Sequence, residues 1–66
     1  MNTTHYVYEV RGPEQFTYFT SLRAAKSASA ALAREGNTVD VVRHIAGDDG
    51  KPQTNIGRVH TSAPRR

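Results

Sequence analysis

Apolar residues along this chain are spaced first by two, then by three or four, then by two again. Residues 5–11, HYVYEVR, place Tyr6, Tyr8 and Val10 on one side and His5, Glu9 and Arg11 on the other, with Val7 the exception. Aromatic and β-branched residues at period two predict a strand. Gly12 and Pro13 open a turn, the proline fixing one φ angle and the glycine relieving another. Residues 16–19, FTYF, predict a second strand that closes an N-terminal hairpin. The next segment, residues 20–36, reads TSLRAAKSASAALAREG and changes period. At about 100° per residue, Leu22, Ala25, Ala28, Ser29, Leu32 and Ala33 share one arc. Arg23, Lys26, Ser27, Ala30 and Arg34 share the opposite one. A helix over about 21–35 follows, capped by Thr20 or Ser21 at its start and by Gly36-Asn37 at its end. Small residues on the inner arc predict that it lies close to a sheet.

Period two returns at residues 38–46, TVDVVRHIA, which predict a third strand. Gly47 to Pro52 form a polar turn, and residues 53–61, QTNIGRVHT, predict a weaker fourth strand. Gly57 inside it marks a bulge or a close backbone approach. The expected fold is α+β, a single ββαββ domain with a four-stranded antiparallel sheet and one helix packed on one face. It occupies residues 1–62, with 63–66 as a disordered basic tail. If Ala46 sits opposite Thr54, then Val39, Val41, Ile45 and Val59 point toward the helix. Val42, His44, Ile56, Arg58 and His60 then point away, and Asp40 lies near His60. A four-residue first loop puts Tyr6, Tyr8, Val10 and Phe19 on one face, and Val7 and Tyr18 on the other. A one-residue slip would reverse these assignments.

One helix covers one face of such a sheet. The other face is then a mixture of apolar, aromatic, His and Arg residues, where an ordinary solvated face would alternate to Thr, Lys, Glu and Ser. Interface cores are enriched in aromatics and arginine and depleted in lysine and acids. Tyr18, Val42, His44, Ile56 and Arg58 are therefore the candidate partner-binding residues. Val42→Glu is expected to abolish association and leave the fold intact. Self-association as a homodimer fits the same face.

Charge adds a second candidate. The formal net charge is +3, but Arg65 and Arg66 supply two of those charges, and residues 1–64 carry seven Lys or Arg against six Asp or Glu. The body is near neutral, unlike a typical nucleic-acid domain. The alternative is nucleic-acid binding through Arg23, Lys26 and Arg34 on the outer helix face, joined by Arg65 and Arg66 as phosphate contacts.

At 66 residues the chain is one small domain, and a core of this size supplies about 3–5 kcal/mol. There is no cysteine to form a disulfide, and three histidines without thiolates make a poor zinc staple. No metal site and no cofactor are expected. No nucleophile elbow, phosphate-cradling glycine loop or calcium loop is present, so the chain is expected not to be an enzyme. The N-terminus lacks the continuous apolar run of a signal peptide, and the expected location is cytoplasmic.

The order of a strand, then FTSLRAAKSASAALAREG, then TVDVVR, with its Ala and Arg weighting, resembles the small orphan proteins of bacteriophage and mobile-element genomes from GC-rich bacteria. The resemblance covers roughly residues 6–45. It implies an accessory or host-interaction role, such as inhibiting or redirecting a host protein.

Overall fold

The computed structural model describes residues 4–14 and 16–64. Its elements follow the order strand, strand, helix, strand, strand: β1 (Tyr6–Arg11), β2 (Phe16–Phe19), α1 (Leu22–Arg34), β3 (Val39–Ala46) and β4 (Pro52–Ser62). All neighbouring strands are antiparallel, in the order β2-β1-β3-β4, so β2 and β4 lie outside and β1 pairs with β3 at the centre. The fold is the α+β ββαββ domain that the period changes predict. Arg65 and Arg66 lie outside the described residues. Among those residues no helix is long and apolar enough to cross a membrane.

The helix sits where its sequence requires. Ser21 is the N-cap, its Oγ accepting from the Ala24 N–H at 3.4 Å and its carbonyl from the Ala25 N–H at 3.0 Å. At the other end Gly36 takes φ +100°, a backbone region that side chains disfavour, and its N–H donates to the Ala33 carbonyl at 3.0 Å. Asn37 Nδ2 donates to the Leu32 carbonyl, also at 3.0 Å. Ala25, Ser29 and Ala33 are buried, and Leu22, Ala28 and Leu32 pack beside them against Tyr8, Val10, Val39 and Val41. This is the arc read from the spacing. Val10 and Val41 face each other across the central strand pair. With Val39 they are the largest fully buried apolar side chains, each stabilising by about 1.5–3 kcal/mol.

The first hairpin has the expected register, with Tyr8 opposite Phe19 and Glu9 opposite Tyr18. The second does not. β4 places eleven residues opposite eight of β3, and Gln53, Ile56 and Val59 are the three left unpaired. Each is the extra residue of a bulge, and each bulge reverses the simple in-out alternation. Val42 opposite Arg58 and Arg43 opposite Gly57 are as expected; both ends are shifted. Ala46 pairs with Pro52 rather than Thr54, and Val41 pairs with His60 rather than Val59. His60 therefore lies on the helix side, where it was not expected. Val59 is half exposed and outside the core. Asp40 pairs with Thr61, whose Oγ1 donates to it at 2.9 Å, and is not beside His60.

Gly57 sits next to the central bulge with φ +129°. A Cβ there would meet no atom within 4 Å, so its constraint is backbone conformation alone. Gly57→Ala is expected to lose about 1–2 kcal/mol, which lowers Tm by roughly 4–15 °C in a domain of this size. A thermal melt of the variant that overlays the wild type would show that the bulge tolerates a side chain.

Candidate functional site: the helix-free sheet face

Strand pairing assigns the side chains of the uncovered face in three rows. One row crosses Tyr18, Glu9, Val42 and Arg58; the next runs through Phe16, Arg11, Asp40 and Thr61; the third joins Val7, His44 and Asn55. Strands about 4.8 Å apart make the first row about 14 Å wide. The face is as mixed as the sequence suggests, but its parts are distributed differently.

Its centre is closed. Val7, Glu9, Val42 and His44 are all buried although no helix lies over them, and Val42 is only 4% exposed. They occupy the two inner strands, and on the outer ones Tyr18 stands opposite Glu9, Arg58 opposite Val42 and Asn55 opposite His44. Cross-strand partners stand about 5 Å apart, so large side chains at the edges can wall in the centre. The carboxylate in this centre is paired within the molecule. Glu9 Oε1 is hydrogen-bonded to His44 Nε2 at 2.8 Å and forms an ion pair with Arg11, whose Nε lies 3.3 Å away. A carboxylate only accepts, which fixes Nε2 of His44 as a protonated nitrogen.

The rim is open. Phe16 is 63% exposed and Tyr18 51%, side by side on β2. On the far edge the Arg58 side chain is 66% exposed and only loosely tied to Asp40, at 3.9 Å. Ile56 is half exposed, but as a bulge residue it is assigned to neither face by pairing. Of the five residues expected to bind a partner, Tyr18 and Arg58 are available on this face. Val42 and His44 are buried at the centre of this face, where alternation alone placed them exposed. Phe16 was missed, though it lies two residues from Tyr18 and shares its face by period two alone.

No family model, curated protein or solved structure matches this chain.

The nucleic-acid candidates are placed elsewhere. Arg23, Lys26 and Arg34 are exposed on the helix, on the layer opposite Phe16 and Tyr18. A single-strand site needs its cations and its stacking aromatics in one groove; the sheet separates these three helix cations from Phe16 and Tyr18, whose own face carries Arg11 and Arg58.

On the helix side, an open groove of about 740 Å³ runs between the end of α1 and the end of β4, with Ala30, Ala33, Arg34, His60 and Ser62 among its walls. His60 Nε2 and Ser62 Oγ are 3.1 Å apart, and Ser62 Oγ and Ser29 Oγ 2.9 Å. Ser29 Oγ donates to the Lys26 carbonyl at 2.9 Å. The three side chains form a continuous hydrogen-bonded chain that ties the helix to β4.

Another helix-side cluster went unseen in the sequence. Arg43 lies between Tyr6 and Tyr8, its guanidinium carbon 5.1 and 5.3 Å from the two ring centroids. Its buried Nε has no hydrogen-bond partner among the described residues. Cation–π attraction, about 1–2 kcal/mol when desolvated, is the compensation present.

Proposed function

We propose that this protein is a small non-enzymatic binding module that holds another protein against the helix-free face of its sheet. The observation that carries the reading is the contrast between rim and centre. Exposed Phe16 and Tyr18 stand at one edge and exposed Arg58 at the other, while the buried carboxylate between them is already paired internally. Aromatic and arginine side chains are the usual anchors of protein interfaces. A face whose cations are matched by its own acids gives little attraction to phosphate. The accessory or host-interaction role of small phage proteins, and a cytoplasmic location, are the setting that this reading favours.

The test uses immobilised protein exposed to a bacterial lysate with and without nuclease, followed by titration of the captured protein. Capture is expected to survive nuclease, and Tyr18→Ala is expected to weaken binding by about 30-fold, the effect of removing an interface anchor. Far-UV circular dichroism of that variant should match the wild type, since Tyr18 is half exposed. The reading fails if binding disappears with nuclease, falls steeply with salt and depends on Arg23, Lys26 and Arg34. It fails equally if captured protein binds Phe16→Ala, Tyr18→Ala and Arg58→Ala as tightly as the wild type.

A further inference from the structure

We propose that two copies of the chain associate through β2, edge to edge, to make one continuous eight-stranded antiparallel sheet. The two edges of the sheet differ in how they are defended. An edge strand presents unpaired N–H and C=O groups, and proteins block it with bulges, proline or charge. β4 has all three: bulges at Gln53, Ile56 and Val59, proline at Pro52, and the charge of Arg58. β2 has none of these three and is protected only by its shortness, four residues against the eleven of β4. It is the uncharged sequence FTYF, it contains no proline, and its register against β1 is unbroken. Nothing among the described residues pairs with its outer side.

The sequence of β2 suits a second copy of itself. Phe-Thr-Tyr is close to palindromic about Thr17, so a two-fold axis there sets Phe16 opposite Tyr18 of the second copy and Thr17 opposite its own equivalent. Paired residues share a face of a sheet. This register therefore pairs exposed aromatics with exposed aromatics and leaves both helices on the same side. Shifting it by one would set Phe16 opposite Phe19, which packs against the core under the helix. Cross-strand aromatic pairs stabilise by about 0.2–1 kcal/mol each. Four residues a side bury less than the roughly 1,600 Å² of a standard interface, so the association is weak and follows concentration. This inference shares Phe16 and Tyr18 with the protein-binding reading but rests on the backbone edge, and cross-linking of the purified protein tests it with no second partner present.

The absence of cysteine makes the test clean, since one introduced thiol can cross-link only between molecules. Directly opposed residues of an antiparallel pair have Cα atoms about 4.5–5.5 Å apart, inside the disulfide range. Thr17→Cys is expected to form covalent dimer on mild oxidation at least about ten-fold faster than Ser27→Cys, an exposed position on the helix, because proximity and not exposure then sets the rate. Wild-type protein should sediment at twice its monomer mass near about 1 mM and as monomer near about 1 μM, the behaviour of a weak complex. The double variant Phe16→Lys and Tyr18→Lys, which adds the missing edge charges, should stay monomeric with an unchanged circular dichroism spectrum. Equal cross-linking at 17 and 27, monomer at the highest concentration, or a dimer that survives both lysines would each overturn the proposal.

Discussion

Val42→Glu is expected to unfold this protein, not merely to detach a partner. Val42 is 4% exposed, and Glu9 stands directly opposite it on β1. A second carboxylate there is buried and placed about 5 Å from the first, while Arg58 on the other side keeps most of its side chain in solvent. Burying a charge without a dedicated partner costs several kcal/mol, against a core that supplies about 3–5 kcal/mol in all. Val42→Lys should be less damaging, because its ammonium would face Glu9 and gain an opposite charge in place of a like one. Far-UV circular dichroism and urea titration of the two variants measure the difference. A folded Val42→Glu with wild-type Tm, or a Val42→Lys less stable than Val42→Glu, would contradict the closed centre of this face.

The second large effect concerns the Glu9–His44 pair itself. Glu9→Leu removes the acceptor at 2.8 Å from His44 Nε2 and leaves a buried imidazole N–H without its partner. Leaving a buried donor unsatisfied costs about 1–3 kcal/mol, whereas replacing both partners by apolar groups is close to neutral. Arg11 retreats to water at little cost, because nearly half of its side chain is already exposed. Glu9→Leu is therefore expected to lose about 1–3 kcal/mol, and Glu9→Leu with His44→Leu to recover most of the wild-type stability. Denaturant curves for the two singles and the double give the coupling energy directly. Additive losses would mean that the two residues are buried side by side without supporting each other.

The two variants test a distinction that bears on function. Residues in the middle of the helix-free face hold the sheet together, and those on its rim are free to meet another molecule. Variants for binding experiments therefore belong at Phe16, Tyr18 and Arg58, where a loss of binding can be separated from a loss of fold.

The sequence by itself determined the elements and their inner faces. Period two over HYVYEVR, period 3.6 over LRAAKSASAALAR and a Ser–Gly pair of caps are local properties of the chain, and local sterics and burial suffice to read them. The first hairpin was legible for the same reason, since a four-residue loop fixes which side of each strand faces in. Three things were decided only by tertiary structure. The bulges at Gln53, Ile56 and Val59 depend on how β4 pairs with β3, and each one reverses the alternation from which faces are read. They moved His60 to the helix side and Val59 out of the core. Strand order was the second: the pairing of β1 with β3 brings Glu9 to His44, thirty-five residues apart, and no periodicity carries that separation. The third was burial on the helix-free face. Val42 and His44 alternate like surface residues, and become interior ones because they lie on a central strand, Val42 between Glu9 and Arg58 and His44 between Val7 and Asn55.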